Sequence, residues 1–272
     1  MLFRRLIGAI SIAAALAMPA LAQDKDLLAT VKERGELVVG TEMQFPPFDF
    51  IENGKQTGFN ADVFAEIGKH LGVKVKFIDL PWTNVLPGLE AGKFDMVAGP
   101  NTLTAARLEK YYFNLPISGG AISIMKLAKN TDFTSAEDIE SRSFGAQRET
   151  VSAAKIREVG EGRNVTVRDY GDNNQAYADL VAGRLDGVVA QSTNLYHAAK
   201  LRDGMFEVLE PAIGPMAWFS YLGRKDENSL SLMKAVDEAI LGMSRDGRMA
   251  EFQRKWFGMT LDLPETLPDP SI

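Results

Sequence analysis

The pattern of hydrophobic and polar positions switches repeatedly between two periods, and the switching predicts the fold class. Short β-branched runs alternate with segments whose apolar residues recur every three or four positions, as in α/β proteins built on largely parallel sheets. Glu36 to Thr41 (ELVVGT) predicts a first strand, with a turn after Gly40. Asn60 predicts the N-cap of a helix that carries Val63, Phe64, Ile67 and Leu71 on one face and closes on Gly72. Val73, Val75 and Phe77 then alternate with Lys74 and Lys76, as in a strand with one solvated face. A helix from Asn84 to Ala91 and a strand from Phe94 to Ala98 complete a βαβαβ run.

The same syntax returns further along. Val165 and Val167 alternate in a strand, Asn173 to Ala182 reads as a helix, and Gly187 to Ala190 as a buried strand. Two segments nearly coincide: AGKFDMVA from Ala91 to Ala98 and AGRLDGVV from Ala182 to Val189. Both end a helix on Gly and open a strand through an Asp, which is either common turn grammar or the mark of two similar lobes. Segments rich in Gly and Pro, 114–120 (NLPISGG) and 211–217 (PAIGPMA), stand between the halves. Two crossings suit one lobe inserted into another, so the expected organisation is a discontinuous first lobe, residues 23–116 and 218–262, around a second lobe, 117–217. Trp218 to Leu222 then predicts a strand, Ser229 to Met243 a long amphipathic helix, and a last short helix ends at Lys255-Trp256-Phe257-Gly258. The tail 263–272 (LPETLPDPSI) holds too much Pro to be anything but extended.

Residues 1–22 stand apart from this pattern. Arg4 and Arg5 precede an apolar, Ala-rich stretch, and Ala20-Leu21-Ala22 fits a small-residue cleavage site, so this segment is expected to be a secretory signal peptide. No later stretch approaches the roughly 18 uninterrupted apolar residues of a membrane span. An exported, soluble chain is expected, in the bacterial periplasm or its equivalent. Of 272 residues, 30 are Lys or Arg and 36 Asp or Glu, a net charge of −6. Removal of the leader takes away two arginines and leaves about −8. This acidic balance argues against a nucleic-acid footprint. With 0 Cys the chain has no thiolate nucleophile, iron–sulfur cluster, Cys-ligated zinc or disulfide, and its 2 His, His70 and His197, are too few for most His-rich metal sites. No cofactor and no metal are expected, and a monomer is.

In open parallel sheets a ligand binds beyond the carboxyl ends of the strands. Those ends are Thr41 to Phe48, Gly99 to Arg107, Gln147 to Thr150 and Ala190 to Thr193, with Trp82 closing the strand that begins at Val73. They supply one firm cation, Arg107, several hydroxyls and amides, and the rings of Phe45 and Phe48, but no nucleophile paired with a base.

The order and spacing of TEMQFPPFDF (Thr41 to Phe50), GFNADV (Gly58 to Val63), GKFD (Gly92 to Asp95), Thr102-Leu103-Thr104 with Arg107, and the closing KWFG (Lys255 to Gly258) resemble the periplasmic polar amino-acid-binding proteins of ABC transporters, solute-binding protein family 3. The resemblance spans nearly the whole chain after the leader. It implies the two-lobed type II periplasmic binding fold, an α/β flytrap with a mostly parallel sheet in each lobe and a two-strand hinge. It also implies a small-molecule ligand and a membrane permease as partners.

Residue by residue, the resemblance sets Arg107 against a ligand carboxylate, for which a planar guanidinium is well suited. Thr102 and the backbone of Gly99 would assist, while Thr104 is the expected helix cap. Phe45 and Trp82 match positions that sandwich the ligand side chain, Glu42 would read its distal group, and Phe48 is expected in the core. The second lobe departs from the family pattern. Its Gly-Thr or Gly-Ser turn reads Gln147-Arg148-Glu149-Thr150, with Glu149 in place of glycine, although Gln147 and Thr150 remain ligand-binding candidates. Gln191 stands where the family has the Asp that pairs with the ligand ammonium, and an amide cannot neutralise a cation. Either Glu42 or Glu149 supplies the missing charge, or the ligand lacks a free α-ammonium. An extra residue in Gly99-Pro100-Asn101-Thr102 reshapes the pocket beside Arg107. The expected function is delivery of a small carboxylate-bearing solute, a polar amino acid or derivative, to an ABC permease. The alternatives are an exported enzyme resembling the dehydratases that act on prephenate-type substrates, with Glu42 and Glu149 as acid–base candidates, and a ligand-sensing module.

Overall fold

The computed structural model describes residues 26–272, so the expected signal peptide lies outside the described residues. The chain opens with α1 (Leu27–Arg34), β1 (Glu36–Thr41), β2 (Gln44–Phe45), β3 (Asp49–Glu52), β4 (Lys55–Thr57), α2 (Phe59–Leu71) and β5 (Lys74–Asp79). It continues through α3 (Trp82–Glu90), β6 (Met96–Thr102), α4 (Ala105–Lys110), β7 (Tyr111–Phe113) and β8 (Ser118–Gly120). A second unit follows as β9 (Ile122–Leu127), β10 (Ser143–Gln147), α5 (Val151–Val159), β11 (Thr166–Tyr170), α6 (Asn173–Val181), β12 (Gly187–Gln191), α7 (Ser192–Leu201) and β13 (Phe206–Val208). The chain then returns as β14 (Ala217–Arg224), α8 (Glu227–Asp246) and α9 (Arg248–Phe257).

These elements form two main sheets, ordered β5-β1-β6-β14-β7, with β8 also on β14, and β11-β10-β12-β9-β13; a small hairpin sheet, β2-β3-β4, flanks the first. Both are mixed. Parallel strands joined by helices, β5-β1-β6 and β11-β10-β12, are completed by antiparallel partners. The antiparallel share exceeds that of a mostly parallel sheet because β14 in the first sheet and β9 in the second each run against their neighbours. The first residues of β14 pair with β8, Ala217 against Gly120 and Phe219 against Ser118, so the two passages between the units run side by side. Helices cover both faces of each sheet. Phe48, Phe59 and Phe64 pack with Val236 and Ile240 of α8 on one face of the first, and Val85, Leu89 and Phe94 on the other. Residues such as Ile124, Phe144 and Ile156 pack on one face of the second, and Tyr177, Leu180 and Leu195 on the other. Phe48 is fully buried, as expected.

The near-repeat has a structural cause. Asp95 Oδ2 accepts from Val38 N at 2.8 Å while Asp95 N donates to Val38 O at 2.8 Å. In the other sheet Asp186 Oδ2 accepts from Ser143 N at 2.8 Å and Asp186 N donates to Ser143 O at 2.8 Å. Each Asp thus ties the start of its strand to the neighbouring parallel strand and fixes their register.

Two local expectations change. The cap of α2 is Gly58, at φ +126°, where a Cβ would lie 2.1 Å from Phe48 O; only glycine fits so close a backbone approach. Asn60 is the second residue of that helix and is buried, its side chain spent on tertiary contacts. Trp82 is the first residue of α3 rather than the end of β5, because Pro81 suits a helix entrance. The tail after α9 forms neither helix nor strand, and the Ile272 carbonyl accepts from Ala105 N, at the start of α4, at 3.0 Å.

Candidate functional site

A cleft of about 620 Å³, mouth included, opens between the sheets at the carboxyl ends of β1, β6, β10 and β12. Glu42, Phe45, Trp82, Gly99, Thr102 and Arg107 line it from the first unit, and Gln147, Thr150 and Gln191 from the second. The structure therefore brings every sequence-predicted site residue to one cleft; Phe48 and Glu149 do not line it.

Arg107 stands at the cationic pole. Thr104 caps α4 by accepting from Arg107 N at 3.2 Å, as expected, and places the arginine in the first turn. The guanidinium donates from Nη1 to the Thr102 carbonyl at 3.3 Å and lies 5.6 Å from the centre of the Trp82 ring. Burial lowers its pKa to about 10, and among the described residues no carboxylate lies within ion-pair distance. Facing it, the N-terminus of α5 contributes Val151 and Ser152 to the cleft wall, with no acidic residue in the first turn. Backbone N–H groups and helix dipole there favour an anion. The Thr150 hydroxyl is largely committed to capping, accepting from Ala153 N at 3.1 Å and donating to Gln147 O at 2.7 Å.

Before Thr102, β6 is bulged. Asn101 pairs with Ser220 and Val97 with Leu222, so β6 carries two residues more than β14 across this span. Asn101 Nδ2 closes the bulge on Ala98 O and Ser220 O, both at 3.0 Å, and a Cβ on Gly99 would lie 2.7 Å from Asn101 N. β6 consequently runs on to Thr102, beyond the strand end predicted at Ala98, and Pro100 is turned into the cleft.

Glu42 forms the opposite electrostatic feature. Gln147 Nε2 donates to both of its oxygens at 2.8 Å and to Gly171 O at 3.1 Å. Desolvation is the main cause raising the Glu42 carboxyl to about 7, with Asp172 and Asp79 adding repulsion. Beside it the half-buried Phe45 packs toward Phe48, ring centres 6.3 Å apart.

Gln191 joins the two walls. Its Nε2 donates to Thr102 Oγ1 at 3.0 Å, while its Oε1 is buried with no hydrogen-bond partner. Further bonds cross the cleft from Trp82 Nε1 to Glu149 O at 3.2 Å and from Asn194 Nδ2 to Pro46 O at 2.7 Å. Glu149 itself is exposed and sits at φ +60°, so the turn keeps a glycine-like backbone despite its Cβ. That leaves Glu42 as the acidic side chain lining the cleft.

Sequence reasoning missed Asn173, which is buried, lines the cleft and leaves its Oδ1 without a partner. The signal was present, since Asn173 follows the carboxyl end of β11, and the Asp172 cap of α6 points its first turn at the cleft. Behind the cleft lies a buried polar network. Asp49 accepts from Thr41 Oγ1 and Asn60 Nδ2, both at 2.6 Å, and Asn60 also donates to Gly99 O at 2.6 Å and accepts from the Tyr221 hydroxyl at 2.9 Å. Among the described residues no cluster of His, Asp or Glu could hold a metal ion, and no helix is long and apolar enough to cross a membrane.

The model of the bacterial extracellular solute-binding proteins, family 3, matches residues 37–259. The L-cystine-binding protein TcyJ of Escherichia coli (strain K12) is 31% identical over 254 residues, covering 93% of this chain and 93% of its own. The L-cystine-binding protein TcyA of Bacillus subtilis (strain 168) is 28% identical over 244 residues, covering 87% of each. Among solved structures, the ancestral amino acid-binding protein AncCDT-1, a precursor of cyclohexadienyl dehydratase, superposes with a TM-score of 0.79 at 30% identity, over 85% of this chain and 99% of that one.

Proposed function

The chain belongs to the bacterial extracellular solute-binding proteins of family 3, with their type II periplasmic binding fold, and on that premise we propose that it captures a small carboxylate-bearing solute, a polar amino acid or derivative, between its lobes. The protein would deliver the solute from the periplasm to an ABC permease in the inner membrane. The observation that carries this reading is the buried Arg107 guanidinium, with no carboxylate of the described chain at ion-pair distance, across from the α5 N-terminus. Such a charge is costly to bury until an anion meets it. Phe45 and Trp82 would hold the body of the solute, Thr102 and Gly99 would assist at its carboxylate, and Glu42 with Gln147 would read its far end.

A thermal-shift screen of the mature chain against amino acids, their derivatives and small carboxylates tests the proposal. A ligand at about a hundred times its Kd should add ~2.7 kcal/mol, and so raise Tm by roughly 5–10 °C. No response to any carboxylate would overturn it. The cleft carboxyl of Glu42, at about 7, also favours a second reading, an acid–base catalyst on the same scaffold, and the ancestral dehydratase precursor supports including it. Prephenate and arogenate belong in the same screen, where consumption of either would favour the enzyme.

The raised Glu42 carboxyl gives the binding a pH signature. Its stabilising effect on the free protein is present below about 4.5 and is lost as pH rises to about 7, because burial disfavours the charged form. A solute presenting a cation to Glu42 favours that same charged form. Binding between pH 5 and 7 should therefore release a proton, and affinity should rise as pH approaches 7. Calorimetry in two buffers of different ionisation enthalpy measures the release, and Glu42→Gln should abolish it; a proton count unchanged in that variant would remove Glu42 from the binding reaction.

A further inference from the structure

We infer that the nitrogen next to the solute's carboxylate is an uncharged N–H donor, as in an N-acyl amino acid or a lactam acid, rather than a free ammonium. The inference rests on the carboxylate-binding reading above and concerns the part of the cleft beside Arg107. There Thr102 is shared, its backbone carbonyl accepting from Arg107 Nη1 at 3.3 Å and its hydroxyl from Gln191 Nε2 at 3.0 Å. That donation uses the amide's N–H side, and Gln191 Oε1 is left buried and unpartnered. A second acceptor in the same cleft, Asn173 Oδ1, is also buried and unpartnered. Both are neutral amide oxygens, each suited to one N–H.

The nearby acids do not change this. Glu42 is engaged by Gln147 Nε2 through both oxygens at 2.8 Å, and Asp172, which does not line the cleft, accepts from Gln175 N at 3.0 Å and Nε2 at 2.7 Å. Glu149 is exposed and offers its carbonyl to Trp82 instead. An ammonium set against Gln191 would be hydrogen-bonded but not neutralised, which is unfavourable for a buried charge. A neutral N–H satisfies the Gln191 oxygen without that cost.

Calorimetric titration of the full mature chain with matched pairs tests this: free amino acids against their N-acetyl forms, and glutamate against its lactam, pyroglutamate. At least one acylated or lactam acid should bind about tenfold or more tightly than its free counterpart, a difference near 1.4 kcal/mol. Gln191→Asp, which supplies a negative charge on a side chain one methylene shorter, should reverse that ratio by a similar factor, whereas Gln191→Asn, matched to Asp in length but neutral, should keep its direction. A wild-type preference for the free amino acid in every pair, with Arg107 still required, would overturn this inference alone. An unchanged ratio in Gln191→Asp would overturn it too. Absence of binding by any carboxylate would overturn the reading on which it rests.

Discussion

Replacing Arg107 with alanine is expected to weaken binding of the solute by roughly 10²–10⁴-fold, the effect of about 3–5 kcal/mol lost from a desolvated, bidentate charge pair. The site makes this loss separable from misfolding. Arg107 contributes a charge that burial opposes, among the described residues its guanidinium donates only the 3.3 Å hydrogen bond to Thr102 O, and its ring partner Trp82 stays in place. The free variant should therefore keep its Tm, or gain slightly, while the ligand-induced shift disappears. Arg107→Lys retains the charge but not the planar fork, so it should fall between wild type and alanine. Equal affinity in wild type and alanine variant would show that the carboxylate lies elsewhere.

The second large effect is expected on stability, from Asn60→Leu. Asn60 alone connects Asp49, the Gly99 carbonyl and the Tyr221 hydroxyl. Leucine would leave all three buried groups short of a partner, at a cost of about 3–5 kcal/mol, or roughly 10 °C in Tm for a domain of this size. The loss should depend on pH. Burial already raises the Asp49 carboxyl to about 6 against the opposing hydrogen bond from Asn60. A raised carboxylate favours folding most below its unfolded pKa and loses that advantage as pH climbs through its folded value, and removing Asn60 raises that value further. The variant should thus lose more at pH 8 than at pH 5. A drop of under about 2 °C at both values would mean that the network carries little of the stability. Because Gly99 O is one of its three anchors, the same substitution should also loosen the bulge beside Arg107.

What could be read from the chain in advance was whatever is local and periodic. β1 and the apolar face of α2 follow from spacing, and the doubled Gly-basic-x-Asp segment turned out to be a register tie present in both sheets. Arg107 and Trp82 could be nominated because the ends of parallel strands converge, and Thr102 and Gln191 because the motifs resemble those of the family. Asn60 could not be read correctly: its residue type favours a cap, and only the approach of β14 and the β6 bulge gives it better partners than the helix end. The bulge could not be read either, since its shape depends on Ser220, 119 positions away in sequence from Asn101. Asn173 shows the remaining limit, since its role appears once β11 is recognised as a strand whose carboxyl end counts as much as the others.

The paired aspartate ties also bear on mechanics. With Asp95 and Asp186 each clamping neighbouring strands through two hydrogen bonds of 2.8 Å, each sheet is tied within itself, and a turning of one lobe on the other would fall where β8 and β14 pass together. A stiff body turning about a short axis converts a small rotation into a displacement that grows with distance from that axis. The outer rims of the lobes would therefore report a change at the cleft in amplified form, as the tips of tweezers magnify the motion at the pivot. A membrane partner gripping those rims could distinguish an occupied protein from an empty one without touching the solute.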